Sequence, residues 1–270
     1  ARAAHALASF GLRAGERVLF LLKDTPTLVC AYLGAMKMGA VAVALNPRLT
    51  TEDLAHVAAD SGACLALCDQ DSRAVAEAAV SAAGSAARIV LAGAPDAPFD
   101  AAMASQQAHY DSASTTDDNM AFWVYTSGTT GRLKAAVHRH RDVVASDLYP
   151  REILGVGPGD ILYATSKLFF AYALGTILFG TLRLSATAVL NDAPSDPTTV
   201  AAVMARHHPT VMFSVPTLYR GSLAAGVVEG AAFRRARHYV SAGERLSPAL
   251  YEQWRARTGV SFPKTWAAGA

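Results

Sequence analysis

Cysteine is scarce. Cys30, Cys64 and Cys68 are the only three in 270 residues. The count is odd, all three sit in apolar runs and no CxxC occurs, which excludes a disulfide framework and leaves buried, reduced thiols as the expectation. Cys64 and Cys68 have no further His or Cys at ligand spacing, so no metal site is assigned to them. Charge of one sign is lacking as well. Lys and Arg number 24 against 22 Asp and Glu, a net +2, which gives no electrostatic case for nucleic acid or an acidic membrane. The densest basic stretch, 232-AFRRARHY-239, reads as a solvated helix end. Long apolar runs are also missing. The most apolar tract, 168-LFFAYALGTILFGTL-182, is broken by Gly175 and Gly180 and falls short of the roughly 18–20 residues that a membrane span needs. No signal peptide is seen, and the first residues, 1-ARAAHALASFGL-12, read as a helix entered midway. A cytoplasmic protein with no membrane partner is expected; the sequence leaves its oligomeric state open.

What is present is a regular alternation. The chain is 52% hydrophobic, and at this length about 70–75% of the unfolded surface can be buried. Short apolar runs at 17–24, 40–46, 64–69 and 87–93 read as strands. Helical patterns at 26–39, 51–62 and 72–82 lie between them, the first opened by Pro26 at a position where its missing N–H costs nothing. After a polar, aperiodic stretch at 94–119 the alternation resumes. Strands are expected at 121–127, 161–166, 186–192, 211–216 and 237–243, and helices near 139–152, 171–182, 196–207, 216–225 and 247–258. Fully apolar strands between amphipathic helices predict an α/β fold: doubly wound, mostly parallel sheets with helices on both faces. Three regions follow: a first α/β subdomain over 1–93, a linker or exposed loop over 94–119, and a second α/β subdomain over 120–270.

The stretch 124-VYTSGTTGRLKAAVHRH-140 sets Thr126, Ser127, Thr129 and Thr130 around Gly128 and Gly131, with Lys134 behind. Read as strand, loop and then helix, it would form a nest of backbone N–H groups at a helix N-terminus, a place that attracts phosphate. The glycines permit positive φ and close approach. It is neither a Walker A loop nor GxGxxG. A plain Ser/Thr/Gly turn is the competing reading, and the strand before it and the lysine after it favour a nucleotide site.

The same stretch resembles the phosphate-loop signature of the AMP-forming acyl-CoA synthetase superfamily, the adenylate-forming enzymes. The stretches 33-LGAMKMGAVAVALNPRLTTEDLAHVAADSGA-63, 209-PTVMFSVPTLY-219 and 240-VSAGERLSP-248 agree in the family's order, and 167-KLFFAYALG-175 with VSAGE looks most like the benzoate–CoA ligase group. The resemblance implies the large N-terminal domain of such a ligase. It implies ATP, Mg2+ and CoA, with a small aryl carboxylic acid activated to acyl-AMP and then to acyl-CoA. It assigns the ATP phosphates to Thr126, Ser127, Gly128, Thr129, Thr130, Gly131 and Lys134, with Lys134 and Thr130 assisting the chemistry. It assigns the adenine to Gly243, Glu244 and Arg245, and the acid to Phe170, Ala171, Tyr172 and Gly175, with Phe169 behind. Ordinary core filling competes for the aromatics, and a plain strand-to-helix loop competes for Arg245. His138 and His140 are expected to serve local hydrogen bonding, because a carboxylate is already ionised at neutral pH and needs no base.

Departures accompany the resemblance. Where the family reads PKG, this chain has 133-LKA-135, and Ala173 stands where the benzoate group commonly has Gly. The resemblance also implies a fragment at both ends. The Thr-Glu pair that helps hold magnesium is not in this chain, nor are the ribose-binding aspartate and the small C-terminal domain with its lysine. The expectation is a chain that does not complete the reaction alone. Two other readings stay open: a nucleotide-binding remnant without turnover, and transfer of the acyl group to a carrier protein.

Overall fold

The computed structural model describes residues 1–127 and 131–263, and it divides into two units, Ala1–Asp142 and the residues from Val143 onward. In the first unit α1 (Arg2–Ser9), β1 (Arg17–Leu21), α2 (Pro26–Lys37), β2 (Val41–Ala44), α3 (Thr51–Ser61), β3 (Leu65–Cys68), α4 (Arg73–Ala82), β4 (Arg88–Leu91) and α5 (Pro98–Ser105) follow in order. The unit closes with β5 (Met120–Ser127) and β6 (Leu133–Arg139). The six strands form one sheet in the order β4-β3-β1-β2-β5-β6, parallel except for β6, which runs antiparallel to β5 at the edge.

The apolar strands β1, β2 and β3 are almost wholly buried, as a parallel sheet covered on both faces requires. Leu19, Leu21, Val41 and Val43 meet Leu54, Val57 and Ala58 of α3 in one core. Helix α3 is well terminated. Thr50 accepts the Asp53 N–H at 3.1 Å as its N-cap, and Gly62 ends it at φ +54. Helices α1 and α2 approach so closely that a Cβ on Gly34 would lie 2.8 Å from the Ala3 Cβ, so only glycine fits there.

Two expectations change. The stretch 94–119 is not a free linker. It contains α5, whose Phe99 is fully buried, and Asp100 accepts hydrogen bonds from the Thr27 hydroxyl at 2.6 Å and the Gly93 N–H at 2.8 Å. The division between units falls after Asp142, not near 120, because β5 pairs with β2 and carries β6 into the first sheet. The thiols differ too. Cys68 is buried and Cys64 half-buried, and burial pushes both up to about 11. Cys30 is exposed, on the face of α2 opposite Leu28, Ala31, Tyr32 and Ala35.

Helix α6 (His140–Ala145) straddles the division. The second unit holds α7 (Leu148–Glu152), β7 (Ile161–Ala164), α8 (Ala171–Ala173), a π-helical segment (Leu174–Gly180), α9 (Thr181–Arg183), β8 (Thr187–Val189) and α10 (Pro197–His207). Strand β9 (Val211–Ser214), α11 (Pro216–Ala224), α12 (Ala231–Arg235), β10 (His238–Ser241) and α13 (Pro248–Thr258) complete it. Its strands are all parallel, in the order β10-β9-β7-β8. Tyr163, Met212 and Tyr239 share one face of that sheet and pack with Tyr219, Phe233 and Trp254. Trp254 meets Tyr219 and Tyr239 edge-on, with ring centroids 4.6 and 5.0 Å apart, a favourable aromatic geometry. Asp160 and Arg237 fix the loop before β7. The guanidinium donates to the carboxylate at 2.7 and 3.0 Å and to the Leu154 and Gly155 carbonyls. Among the described residues no helix is long and apolar enough to cross a membrane.

Candidate functional site

In the first unit the strands flanking the Ser/Thr/Gly stretch pair as a hairpin. The expected strand–loop–helix is corrected here. Residues 133–139 form a strand, with Thr126 opposite Lys134 and Ser127 opposite Leu133. A strand, not a helix, therefore follows this stretch. Alanines at 135 and 136 favour helix intrinsically, and pairing with β5 overrides that weak preference. Thr126 and Lys134 are exposed, and Gly131 takes φ +82, a left-handed conformation open to glycine at little cost. Gly128, Thr129 and Thr130 lie outside the described residues.

A cleft of about 420 Å³ beside the hairpin is lined by His56, Asp60, Trp123, Arg132, Leu133, Lys134 and Ala135. Arg132 and Lys134 against the one carboxylate of Asp60 make it a cationic place, suited to a polyanion. His56 Nε2 lies 2.9 Å from the Leu133 carbonyl, and Tyr125 donates to Asp60 at 2.7 Å. Burial first, and then the bond to Asp60, raises the Tyr125 phenol far above its usual range, so it stays a donor. His138 does serve locally. Its Nδ1 is 3.1 Å from an Asp142 carboxylate oxygen, and its ring stacks on Phe122 at 4.6 Å. Burial lowers the His140 imidazole, which keeps it neutral at pH 7.

In the second unit the candidates gather at the carboxyl ends of the parallel strands, where open α/β sheets bind ligands. After β10 the chain turns at Gly243, φ +82, with the Val215 Cγ1 3.5 Å from where a Cβ would stand. Glu244 accepts from the Thr217 hydroxyl at 2.7 and 3.0 Å, and Arg245 is exposed. Thr165 and Ser214 bond each other at 2.7 Å, and Ser241 stands opposite Ser214 in register. The buried Ser241 Oγ has no hydrogen-bond partner among the described residues. Tyr172 packs edge-on against Phe213 at 5.9 Å, with its hydroxyl 3.4 Å from the Val240 carbonyl. The structure thus brings Tyr172 to the strand that carries the Gly243 turn. Phe170 and Ala171 are exposed, Phe169 rests on Phe170 at 4.5 Å, and Gly175 lies in the π-helical segment with Thr176, which donates to the Tyr172 carbonyl at 2.7 Å. Thr217, Ser241, His56 and Asp60 were not singled out from the sequence. Thr217 and Ser241 stand inside the quoted stretches PTVMFSVPTLY and VSAGERLSP, which was the available signal.

One unit thus presents a hairpin with Arg132 and Lys134 beside a cleft, and the other a glycine turn after β10 with Tyr172 against the same strand. The chain belongs to the AMP-binding enzyme family, which residues 1–267 match. It is 41% identical to the 3-hydroxybenzoate–CoA ligase of Aromatoleum sp. (strain CIB) over 96% of its length and 50% of that protein. It is also 41% identical to the 3-hydroxybenzoate–CoA/4-hydroxybenzoate–CoA ligase of Thauera aromatica, over 100% of this chain and 52% of the relative. Among solved structures, a benzoate CoA ligase from Burkholderia xenovorans LB400 superposes with a TM-score of 0.86 at 30% identity, covering 97% of this chain and 52% of that one. The chain spans about half the length of the relatives it matches.

Proposed function

We propose that this protein activates a benzoate-like aryl carboxylic acid with MgATP, giving acyl-AMP and pyrophosphate, and then passes the acyl group to CoA in the cytoplasm. The carrying observation is the hairpin that presents Lys134 and Arg132 beside a left-handed Gly131, in a chain of the AMP-binding family. In the first step a carboxylate oxygen attacks the α-phosphorus and the bond to pyrophosphate breaks. In the second the CoA sulfur, its proton lost, attacks the acyl carbon and AMP leaves. The acid is already ionised at neutral pH, so the protein positions and neutralises charge.

Thr126, Ser127, Gly128, Thr129, Thr130, Gly131 and Lys134 are assigned to the phosphates, with Lys134 and Thr130 meeting the charge that develops on pyrophosphate. Gly243, Glu244 and Arg245 are assigned to the adenine, Thr217 holding Glu244 in place. Tyr172, with Phe170, Ala171 and Gly175, is assigned to the aryl group. Magnesium enters with the nucleotide's own phosphates. Among the described residues no cluster of three His, Cys, Asp or Glu side chains stands ready to hold it.

The test is acid-dependent pyrophosphate release by the protein as naturally encoded, with benzoate and the 3- and 4-hydroxybenzoates. Release that requires both ATP and an aryl acid is the expected result. ATP binding without release for any acid would leave a nucleotide-binding remnant, and release without subsequent CoA thioester formation would point to a carrier-protein acceptor.

A further inference from the structure

The hairpin that carries the candidate phosphate turn is weakly supported by its own sheet. Strand β2 pairs with β5 only at Phe122 and Trp123. From Val124 onward β5 has β6 as its one strand partner among the described residues, and β6 is an edge strand. The far half of the hairpin is a two-stranded ribbon, a structure only marginally stable by itself. Trp123, Tyr125 and Leu133 pack against the core that includes Leu54, Val57 and Ala58 of α3, and a cleft of about 420 Å³ opens beside them.

Polar contacts from α3 reach both arms as well. His56 reaches the Leu133 carbonyl on β6, and Asp60 receives the Tyr125 hydroxyl on β5. A carbonyl only accepts, so His56 Nε2 carries the hydrogen. Both contacts come from one helix, whose N-cap is satisfied and whose Leu54, Val57 and Ala58 are locked in the sheet core. His56 and Asp60 lie four residues apart, on one face of α3. Leu133 pairs with Ser127, and Tyr125 lies two residues before Ser127, so both anchors sit at the base of the turn.

We propose that His56 and the Asp60–Tyr125 pair are positioning residues, a clamp by which α3 fixes the two arms of the phosphate turn and so sets how tightly ATP is held. The proposal rests on the nucleotide reading above.

The test uses the protein as naturally encoded, with His56→Phe, His56→Gln and Tyr125→Phe, and Lys134→Ala as the comparison. ATP midpoints come from thermal-shift titrations, acid midpoints from pyrophosphate release, and backbone mobility from hydrogen exchange of the ribbon amides. His56→Phe should raise the ATP midpoint about 3- to 10-fold, and the more exposed Tyr125→Phe about 2- to 3-fold, the range expected for loss of single hydrogen bonds. The glutamine variant, which restores a donor, should recover most of the loss. The acid midpoint and the melting temperature without ATP should change little, while ribbon amides exchange faster. Unchanged ATP midpoints and unchanged ribbon exchange in both variants, with a wild type that responds to ATP, would overturn the clamp and leave the nucleotide reading standing. A wild type with no ATP response would overturn both.

Discussion

The two units place their candidate groups on different kinds of backbone. In the second, Ser241, Gly243 and Glu244 sit at or just beyond the carboxyl end of β10, a largely buried strand whose one strand partner among the described residues is the parallel β9. In the first, Thr126, Gly131 and Lys134 sit on an antiparallel ribbon at a sheet edge, steadied by side chains of a helix. The strand-end site follows a buried strand packed into its unit's core. The ribbon can be tuned through single side chains, and single changes there should move binding without unfolding the unit.

The largest contrast should come from Lys134→Ala. Removing a cation from the proposed phosphate site should lower pyrophosphate release by about 10²-fold, with the melting temperature in the absence of ATP unchanged because the side chain is exposed. A loss of folding instead would mean that the ribbon is structural, not functional.

Next in size is Arg237→Ala in the second unit. It removes the bonds that tie Asp160, Leu154 and Gly155 to β10, and a cost of about 2–3 kcal/mol in chemical denaturation is expected for a charged hydrogen-bond cluster. The same cluster gives a pH signature. Burial raises the Asp160 carboxyl, but bonds from Arg237, the Gly157 N–H and Thr210 outweigh it and bring it down to about 2. A carboxyl depressed in the folded state stabilises the fold above its ordinary value of 3.8, and this stabilisation is lost as pH falls through about 2. Asp160→Asn should flatten the unfolding profile in that acid range; a profile that keeps its slope would place the acid sensitivity elsewhere.

The two turn glycines sharpen the comparison further. Both Gly131 and Gly243 take φ +82, but a Cβ on Gly131 would meet nothing within 4 Å, whereas one on Gly243 would touch Val215. Gly243→Ala should cost about 1–2 kcal/mol in unfolding free energy through backbone strain in a turn packed against Val215. Gly131→Ala should cost less, since the ribbon can relax. Equal losses would show that the ribbon is as stiff as the strand ends. The smallest effect belongs to Thr217→Val, which frees the exposed Glu244 and should weaken ATP by about 2- to 3-fold, read as a shift in the ATP midpoint.

The parallel core was legible because its signal is strong. Runs such as 17-RVLFL-21 and 211-VMFS-214 are apolar throughout, and Pro26, Pro197, Pro216 and Pro248 each open a helix at its first turn. The hairpin was not legible. Residues 133–139 have the alanine content of a helix, and their strand state comes from pairing with β5, a long-range fact that local propensity does not carry. Helix α5 was missed inside a polar stretch because its anchor is one buried Phe99 and one bonded Asp100, too few residues to make a period. The candidate site residues rest on motif resemblance. Those that hold them, His56, Asp60 and Thr217, act across separations of 77, 65 and 27 residues, which no local pattern records.

The most direct test of the central claim is acid-dependent exchange of labelled pyrophosphate into ATP by the protein as naturally encoded, with and without Lys134→Ala. The account predicts exchange that requires an aryl carboxylate and falls about 10²-fold in the variant. Exchange that proceeds equally well in the variant, or ATP binding with no exchange for any aryl acid, would contradict it.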